Sequence, residues 1–282
     1  MQKITIKIPA KVNITLDVKG EANGYHDVNS LVTSVNVYDT ITISKRKDNV
    51  IKLTCVGLPI GCESKKNNAY ITAKLLRDKF SLGGVNIAIE KNIPVGGGMG
   101  GSSADVAGVI IAYKKLYDIK ENLIDVASQM GSDVPYMLKG GYAILKGRGD
   151  RVEFLENVNL PLYFIFAKAD KSVTARECYK KFDMLSVKGK STTNKCVKSL
   201  LNGDGDGVIS CLHNDLFLPA KILLPEIETN YYCLSKVGNA NMTGSGSVTY
   251  AVFLDKQQRD LAYKKLLPLF QDKIFKGDNQ KV

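Results

Sequence analysis

The sequence predicts an α+β fold divided into two domains, and three observations carry that expectation. At 282 residues the chain exceeds the roughly 100–200 residues of one ordinary domain. Its 44% apolar and 24% charged residues suit a folded chain with a sizeable core. Strand-like segments lead, and helices and strands then follow in mixed order rather than in the alternation of a doubly wound sheet. The pattern changes near 155–160, which gives an N-terminal domain of 1–157 and a C-terminal domain of 158–282.

Residues 2–8 and 12–20 alternate apolar and polar side chains with period two, so they read as two strands interrupted at Pro9. Gly20 to Gly24 supplies turn chemistry, and strand-like sequence resumes over 31–45 and 50–55. Residues 68–80 have helical spacing that stops before Gly83-Gly84. A short strand at 85–90 leads to a glycine loop at 96–101. An apolar helix over 102–116 follows, opened by Ser102 and Ser103, and a helix over 121–130 ends at Gly131. Strands at 142–146 and 151–155 flank the turn Gly147-Arg148-Gly149-Asp150. Past the boundary, the continuous apolar segment LPLYFIFA from 160 reads as a strand. Helices at 175–184, 194–201, 206–214 and 219–236 precede a strand pair near 240–254. A last helix at 256–267 leads to a short strand near the end. No repeat of fixed period interrupts this order.

Thirty-nine basic against 28 acidic residues give a net charge of +11, which suits nucleic acid, an anionic membrane surface or a polyphosphate substrate. The lysines are scattered and form no basic tail, so a solvated surface and phosphate attraction rank ahead of nucleic acid. No apolar run approaches the ~18 residues of a membrane span. The opening MQKITIKIPAKVNITLDV lacks a signal or transit pattern, so the chain is expected to begin as mature structure. Cys55, Cys62, Cys178, Cys196, Cys211 and Cys233 form no CxxC pair, and with two histidines no zinc pattern can be built. They read as buried thiols of a reducing compartment, with a cytoplasmic location as the default.

Three motif-like segments fail on inspection. The run from Asn202 to Ile209 opens like a calcium loop, but His213 stands where a bidentate Glu is needed. It reads instead as a Gly/Asp turn between helices. Gly189-Lys190-Ser191 ends like a Walker A loop, yet Met184 occupies the required first glycine. Gly96-x-Gly98-x-x-Gly101 satisfies the dinucleotide fingerprint, but Asn92-Ile93-Pro94 separates it from the preceding strand.

The segment from Ile93 to Gly108 carries stronger chemistry. Five of the six residues 96–101 are glycine, so backbone N–H groups can converge on an anion. The helix that starts there adds its positive end, and Ser102 and Ser103 can bond a phosphate oxygen or a magnesium-bound water. Asp133, in Gly131-Ser132-Asp133-Val134-Pro135, is either a local Asx-turn or a fixed base for an acceptor hydroxyl. Lys11, in Pro9-Ala10-Lys11-Val12-Asn13, is either solvated or placed to hold such an Asp ionised.

Taken together these segments resemble the GHMP kinases over nearly the whole chain. The glycine-serine loop at 94–104 is similar to the second motif of that family. Met242-Thr243-Gly244-Ser245-Gly246-Ser247 is similar to its C-terminal glycine motif. Pro9-Ala10-Lys11-Val12-Asn13, Gly24-Tyr25-His26, Gly131 to Pro135, Gly147-Arg148-Gly149 and Asn214-Asp215-Leu216 resemble the branch that acts on a cytidine diphosphate sugar alcohol.

The resemblance implies an N-terminal mixed α/β domain, like the second domain of a ribosomal protein, and a C-terminal ferredoxin-like domain. It implies ATP-dependent phosphorylation of the 2-hydroxyl of 4-diphosphocytidyl-2-C-methyl-D-erythritol, on the non-mevalonate isoprenoid route. Lys11 and Asp133 would be catalytic. Pro94, Val95, Gly96, Gly97, Gly98, Met99, Gly100, Gly101, Ser102, Ser103 and Ala104 would bind ATP. Magnesium would arrive with ATP, touching Ser103 at most. Asn13 would contact the acceptor, His26 would read the cytosine edge, and Tyr25 and Tyr179 would stack on its two faces. Ile71 and Val173-Thr174-Ala175 depart from the family pattern. The implied partners are small molecules, with neither nucleic acid nor membrane, and the chain would be a monomer or weak homodimer. The alternatives are a homoserine- or mevalonate-type kinase and a non-catalytic RNA-binding protein.

Overall fold

The computed structural model describes residues 2–22, 24–58, 64–185, 189 and 191–280. Cys62 and Lys190 lie outside the described residues. The chain divides into two compact units: the first comprises 1–10, 37–95 and 100–139, and the second 11–36, 96–99 and 140–282. This division differs from the sequence boundary at 157/158. Residues 11–36 pair with 143–147 and with 213–214 through β-ladders, so they cluster with the C-terminal half.

Two long strands, β1 (Lys3–Asn13) and β3 (Tyr25–Lys45), contribute residues to both units. Pro9 does not interrupt β1, which has one ladder partner, β3; a proline is tolerated on a strand bonded along one side. In the first unit β4 (Ile51–Gly57) runs parallel to β5 (Val85–Lys91), which is antiparallel to the distal part of β3. Helix α1 (Asn68–Phe80) starts where Asn67 accepts the Ala69 N–H at 2.8 Å and stops at Ser81, in the left-handed conformation. Helix α2 (Gly101–Tyr117) is apolar nearly all round and buried, as its sequence requires. It approaches β3 so closely that a Cβ on Gly108 would fall 2.6 Å from Ile41 Cδ1. After α3 (Ile124–Met130) a one-turn helix, α4 (Val134–Met137), carries Pro135 in its first turn; the sequence reading had a loop there.

In the second unit β2 (Thr15–Ala22) forms a hairpin with β3, with a bulge between Val18 and Gly20. The strand therefore continues past Gly20, and the expected turn is shorter. β3 also pairs with β6 (Ala143–Gly147), which pairs with β7 (Arg151–Phe154). A second, four-stranded sheet uses β8 (Tyr163–Ala167), β10 (Asn239–Met242), β11 (Thr249–Phe253) and β12 (Ile274–Asp278). Its order, β10-β11-β8-β12, is antiparallel throughout, and α10 (Lys256–Phe270) joins the last two strands in sequence. That is the ferredoxin-like arrangement.

The remaining helices are α5 (Ala175–Met184), α6 (Thr193–Leu201), α7 (Gly205–Ser210), α8 (Phe217–Leu223) and α9 (Glu226–Ser235). The expected helix at 206–214 ends early because His213-Asn214 forms a short strand, β9, parallel to β2. The expected helix at 219–236 is two, broken at Leu224-Pro225, because Pro225 has no N–H to continue the ladder. Asp204 caps α7 by accepting the Gly207 N–H at 2.8 Å, which is the turn reading of the calcium-like run. Of the five described cysteines none is in a disulfide, and Cys55 is exposed on β4 rather than buried as expected.

One cap in the second unit comes from a remote strand. Asp17, wholly buried on β2, accepts from Thr192 N at 3.0 Å, Thr192 Oγ1 at 2.7 Å and Thr193 N at 2.9 Å, at the start of α6. Burial raises the pKa of this carboxyl, but the bonds from Thr193 and Thr192 more than reverse that, and it lies below the ordinary value. A depressed native pKa contributes stability above the unfolded value of about 4 and loses it as pH falls through the native one. Asp17→Asn should therefore cost about 2–3 kcal/mol at neutral pH, and the gap from wild type should narrow in acid. Denaturant titrations at pH 7 and pH 3 check this; a gap independent of pH contradicts it.

Candidate active site

In the second unit the two glycine segments form one assembly. Ser247 N donates to Gly96 O at 3.3 Å and Val248 N to Gly97 O at 3.2 Å. The single hydroxyl proton of Thr243 is shared between Gly98 O, 3.3 Å from Oγ1, and Asn13 Oδ1. Gly98 has φ +75°, and a Cβ there would meet Thr243 O at 2.2 Å. Glycine is thus required twice over, by conformation and by closeness. Asn214 holds the C-terminal segment by donating from Nδ2 to Met242 O at 2.8 Å and Gly244 O at 2.9 Å.

Asn13 is the hub. Its Oδ1 accepts from Lys11 Nζ at 2.7 Å, Gly244 N at 3.0 Å and Thr243 Oγ1 at 3.2 Å. Its Nδ2 donates to Ser30 Oγ at 2.7 Å, and Ser30 Oγ donates in turn to Thr15 O at 2.6 Å. Lys11, 5% exposed, is held at both ends, since its backbone N–H donates to Met99 O at 3.0 Å. A buried ammonium is thereby fixed beside the glycine assembly, with the Asn13 amide oxygen as one of its partners.

The first unit holds the rest of the loop. Gly100, at φ +78°, is the N-cap of α2 and contributes no side chain, so the first-turn N–H groups lack a side-chain cap. Ser102 is exposed and accepts from Asn68 Nδ2 at 3.2 Å. Pro94 and Ala104 are buried, and Val95 is exposed. A Cβ on Gly131 would lie 3.8 Å from Ser103 Oγ, so the Gly131–Pro135 segment passes beside the start of α2. Asp133 is half-buried at the N-cap of α4, and its side chain does not cap that helix. The Asx reading therefore does not describe it.

His26 meets α5 within the second unit. Its ring stacks on Tyr179 with centroids 4.5 Å apart and planes at 20°, and Phe182 approaches edge-on at 6.2 Å. His26 Nε2 bonds Asp183 Oδ1 at 2.7 Å. A capping box between Thr174 and Glu177 starts this helix, so the loosely matching Val173-Thr174-Ala175 is a helix N-terminus. Tyr25 is 58% exposed, with the Arg148 guanidinium 5.5 Å from its ring centre. Here Tyr179 stacks on His26, and Tyr25 lies under the Arg148 guanidinium. Asp183 was missed in the sequence; its place one helical turn after Tyr179 was the available signal.

These features coincide with a family match. Residues 67–141 match the model of the GHMP kinases N terminal domain, and residues 196–269 that of the GHMP kinases C terminal domain. The chain belongs to the GHMP kinases, and GHMP kinases use ATP. It is 34% identical over 271 residues to a 4-diphosphocytidyl-2-C-methyl-D-erythritol kinase of Caldanaerobacter subterraneus, covering 94% of this chain and 93% of the relative. It is 33% identical to the protein of the same name from Syntrophomonas wolfei, covering 96% of each. A crystal structure of 4-(cytidine 5'-diphospho)-2C-methyl-D-erythritol kinase superposes with a TM-score of 0.83 at 25% identity, covering 99% of this chain and all of the other. Homoserine kinase from Cytophaga hutchinsonii, at 17% identity and a TM-score of 0.72, shares the fold and covers 100% of this chain and 96% of its own.

The Gly98 geometry gives a test. Gly98→Ala places a Cβ against Thr243 O and forces a left-handed alanine, at a cost of about 1–3 kcal/mol. Melting temperature and ATP affinity should fall together. A variant normal in both contradicts the assembly.

Proposed function

We propose that the chain transfers the γ-phosphoryl of ATP to the 2-hydroxyl of 4-diphosphocytidyl-2-C-methyl-D-erythritol, giving the 2-phosphate and ADP, in the cytoplasm and on the non-mevalonate isoprenoid route. The observation that carries this reading is the full-length likeness to proteins of that name, at 34% and 33% identity. In this reading residues 1–157 hold ATP and the catalytic pair, and 158–282 form the C-terminal domain. The partners are two small molecules. The glycine loop and the uncapped start of α2 receive the phosphates, whose charge suits that positive helix end.

Asp133 takes the proton from the acceptor hydroxyl. Lys11 offsets charge on the transferring group, and Asn13 keeps its ammonium in place. Transfer is direct, so the enzyme contributes mainly position and charge neutralisation. Magnesium, when it arrives with ATP, supplies further charge neutralisation; the half-exposed Ser103, in the first turn of α2, is chemically suited to touch it. Tyr25, His26 and Tyr179 recognise the cytosine.

A panel of the cytidine diphosphate alcohol, homoserine, mevalonate and galactose, each with ATP, tests the reading by ADP release. The first alone should support turnover; turnover with homoserine or mevalonate instead overturns it. Two predictions refine it. Asp133→Asn and Lys11→Ala should each lower kcat about 10²–10⁴-fold, with a double variant far less than multiplicatively worse. A fully multiplicative double variant would separate the two residues. His26→Ala should raise KM for the acceptor and leave that for ATP unchanged; equal increases would remove His26 from the cytosine site.

A further inference from the structure

A buried ionic cluster in the first unit belongs to no part of the proposed chemistry. Lys91, at the end of β5 and 3% exposed, donates from Nζ to Asp39 Oδ2, to Asp105 Oδ2 at 2.8 Å and to Gly101 O at 3.2 Å. Asp39, fully buried on β3, uses its other oxygen to accept from Asn92 N at 2.7 Å and Ile93 N at 2.9 Å. Asp105, 4% exposed on α2, leaves Oδ1 buried with no hydrogen-bond partner. Burial pushes its carboxyl up to about 7, with the attraction of Lys91 working against that and the nearby Asp39 adding to it.

The placement of these bonds is more informative than their number. Asn92 and Ile93 lie just ahead of the glycine loop, separated from Gly96 by Pro94 and Val95, and Gly101 is the last residue of the loop. One ammonium and one carboxylate therefore tie down the chain where it enters the loop and where it leaves. Gly101 permits the approach: a Cβ there would stand 3.4 Å from Lys91 Nζ and 3.2 Å from Ile93 Cγ2. A glycine-rich segment loses more conformational freedom on ordering than any other, so its shape depends on how its ends are held. As a source of stability alone the cluster is a poor choice. Buried ion triads are commonly replaced by apolar residues with no loss of stability.

We propose that Lys91, Asp39 and Asp105 form a brace that positions the glycine loop for nucleotide phosphates, with Lys91 as its central positioning residue. The proposal rests on the reading of that loop as the ATP site. The brace acts through the loop backbone and touches neither substrate. Its loss should weaken nucleotide binding and spare the cytidine side.

The triple variant Lys91→Met, Asp39→Leu, Asp105→Leu removes the brace while filling its volume. Asp39→Asn is a milder second variant, which keeps the side-chain shape but leaves one oxygen to serve three donors. Calorimetry with ADP and, separately, with CDP as a probe of the acceptor side is run beside thermal unfolding. Wild type must bind ADP; if it does not, the ATP-site reading itself fails. If it does, each folded variant should bind ADP at least about tenfold more weakly, with CDP affinity unchanged. Unaltered ADP affinity in a folded variant overturns the brace, and so does an equal loss for both ligands. If the triple variant does not fold, Asp39→Asn decides by the same criteria.

Discussion

The structure depends on one amide oxygen. Oδ1 of Asn13 accepts from the Lys11 ammonium, the Gly244 N–H and the Thr243 hydroxyl, and so joins those three groups. A carboxylate at that position would pair with Lys11 and neutralise it. An apolar residue would leave a buried ammonium and a backbone N–H unpaired, each of which is costly. Asparagine satisfies the donors with a neutral oxygen and adds no charge of its own. The ammonium is thus held in place by a neutral group.

The same economy runs through the glycine segments. Gly96, Gly98, Gly244 and Gly246 all have positive φ, so the two loops adopt a conformation that side chains would resist. Their polar backbone groups are partly spent on each other, through Gly96 O, Gly97 O and Gly98 O. The start of α2 is left without a side-chain cap by Gly100, whereas Asn67 and Thr174 cap α1 and α5 with their side chains. Side-chain caps are not general in this chain, since α3, α8 and α9 also lack them.

Much of this was legible in the sequence, for identifiable reasons. Helix α1 coincides with its expected range, because a cap, a 3.6-residue period and a Gly-Gly stop all agree. The glycine loop announces itself by composition. Elsewhere long-range structure overrode local signals. Pro9 passes through β1 because that strand is bonded along one side, and β9 shortens the helix at 206–214 because His213-Asn214 pairs with a strand two hundred residues away. At the site, Lys11, Asn13 and Asp133 were singled out by their motifs. The partners of Asn13, namely Thr243, Gly244 and Ser30, could not be assigned, since nothing in linear spacing pairs Asn13 with residue 243. The Tyr179–His26 stack and Asp183 were hidden for the same reason: they join a hairpin to a helix more than 150 residues on.

The central claim is that the two glycine segments are one assembly organised by Asn13. Amide hydrogen exchange at Ser247 and Val248 reads that directly, because these N–H groups donate to Gly96 O and Gly97 O. In wild type both amides should be protected, and ATP should slow their exchange further. In Asn13→Ala both should exchange rapidly while amides of the four-stranded sheet keep their protection. Unchanged protection of Ser247 and Val248 in that variant would contradict the account.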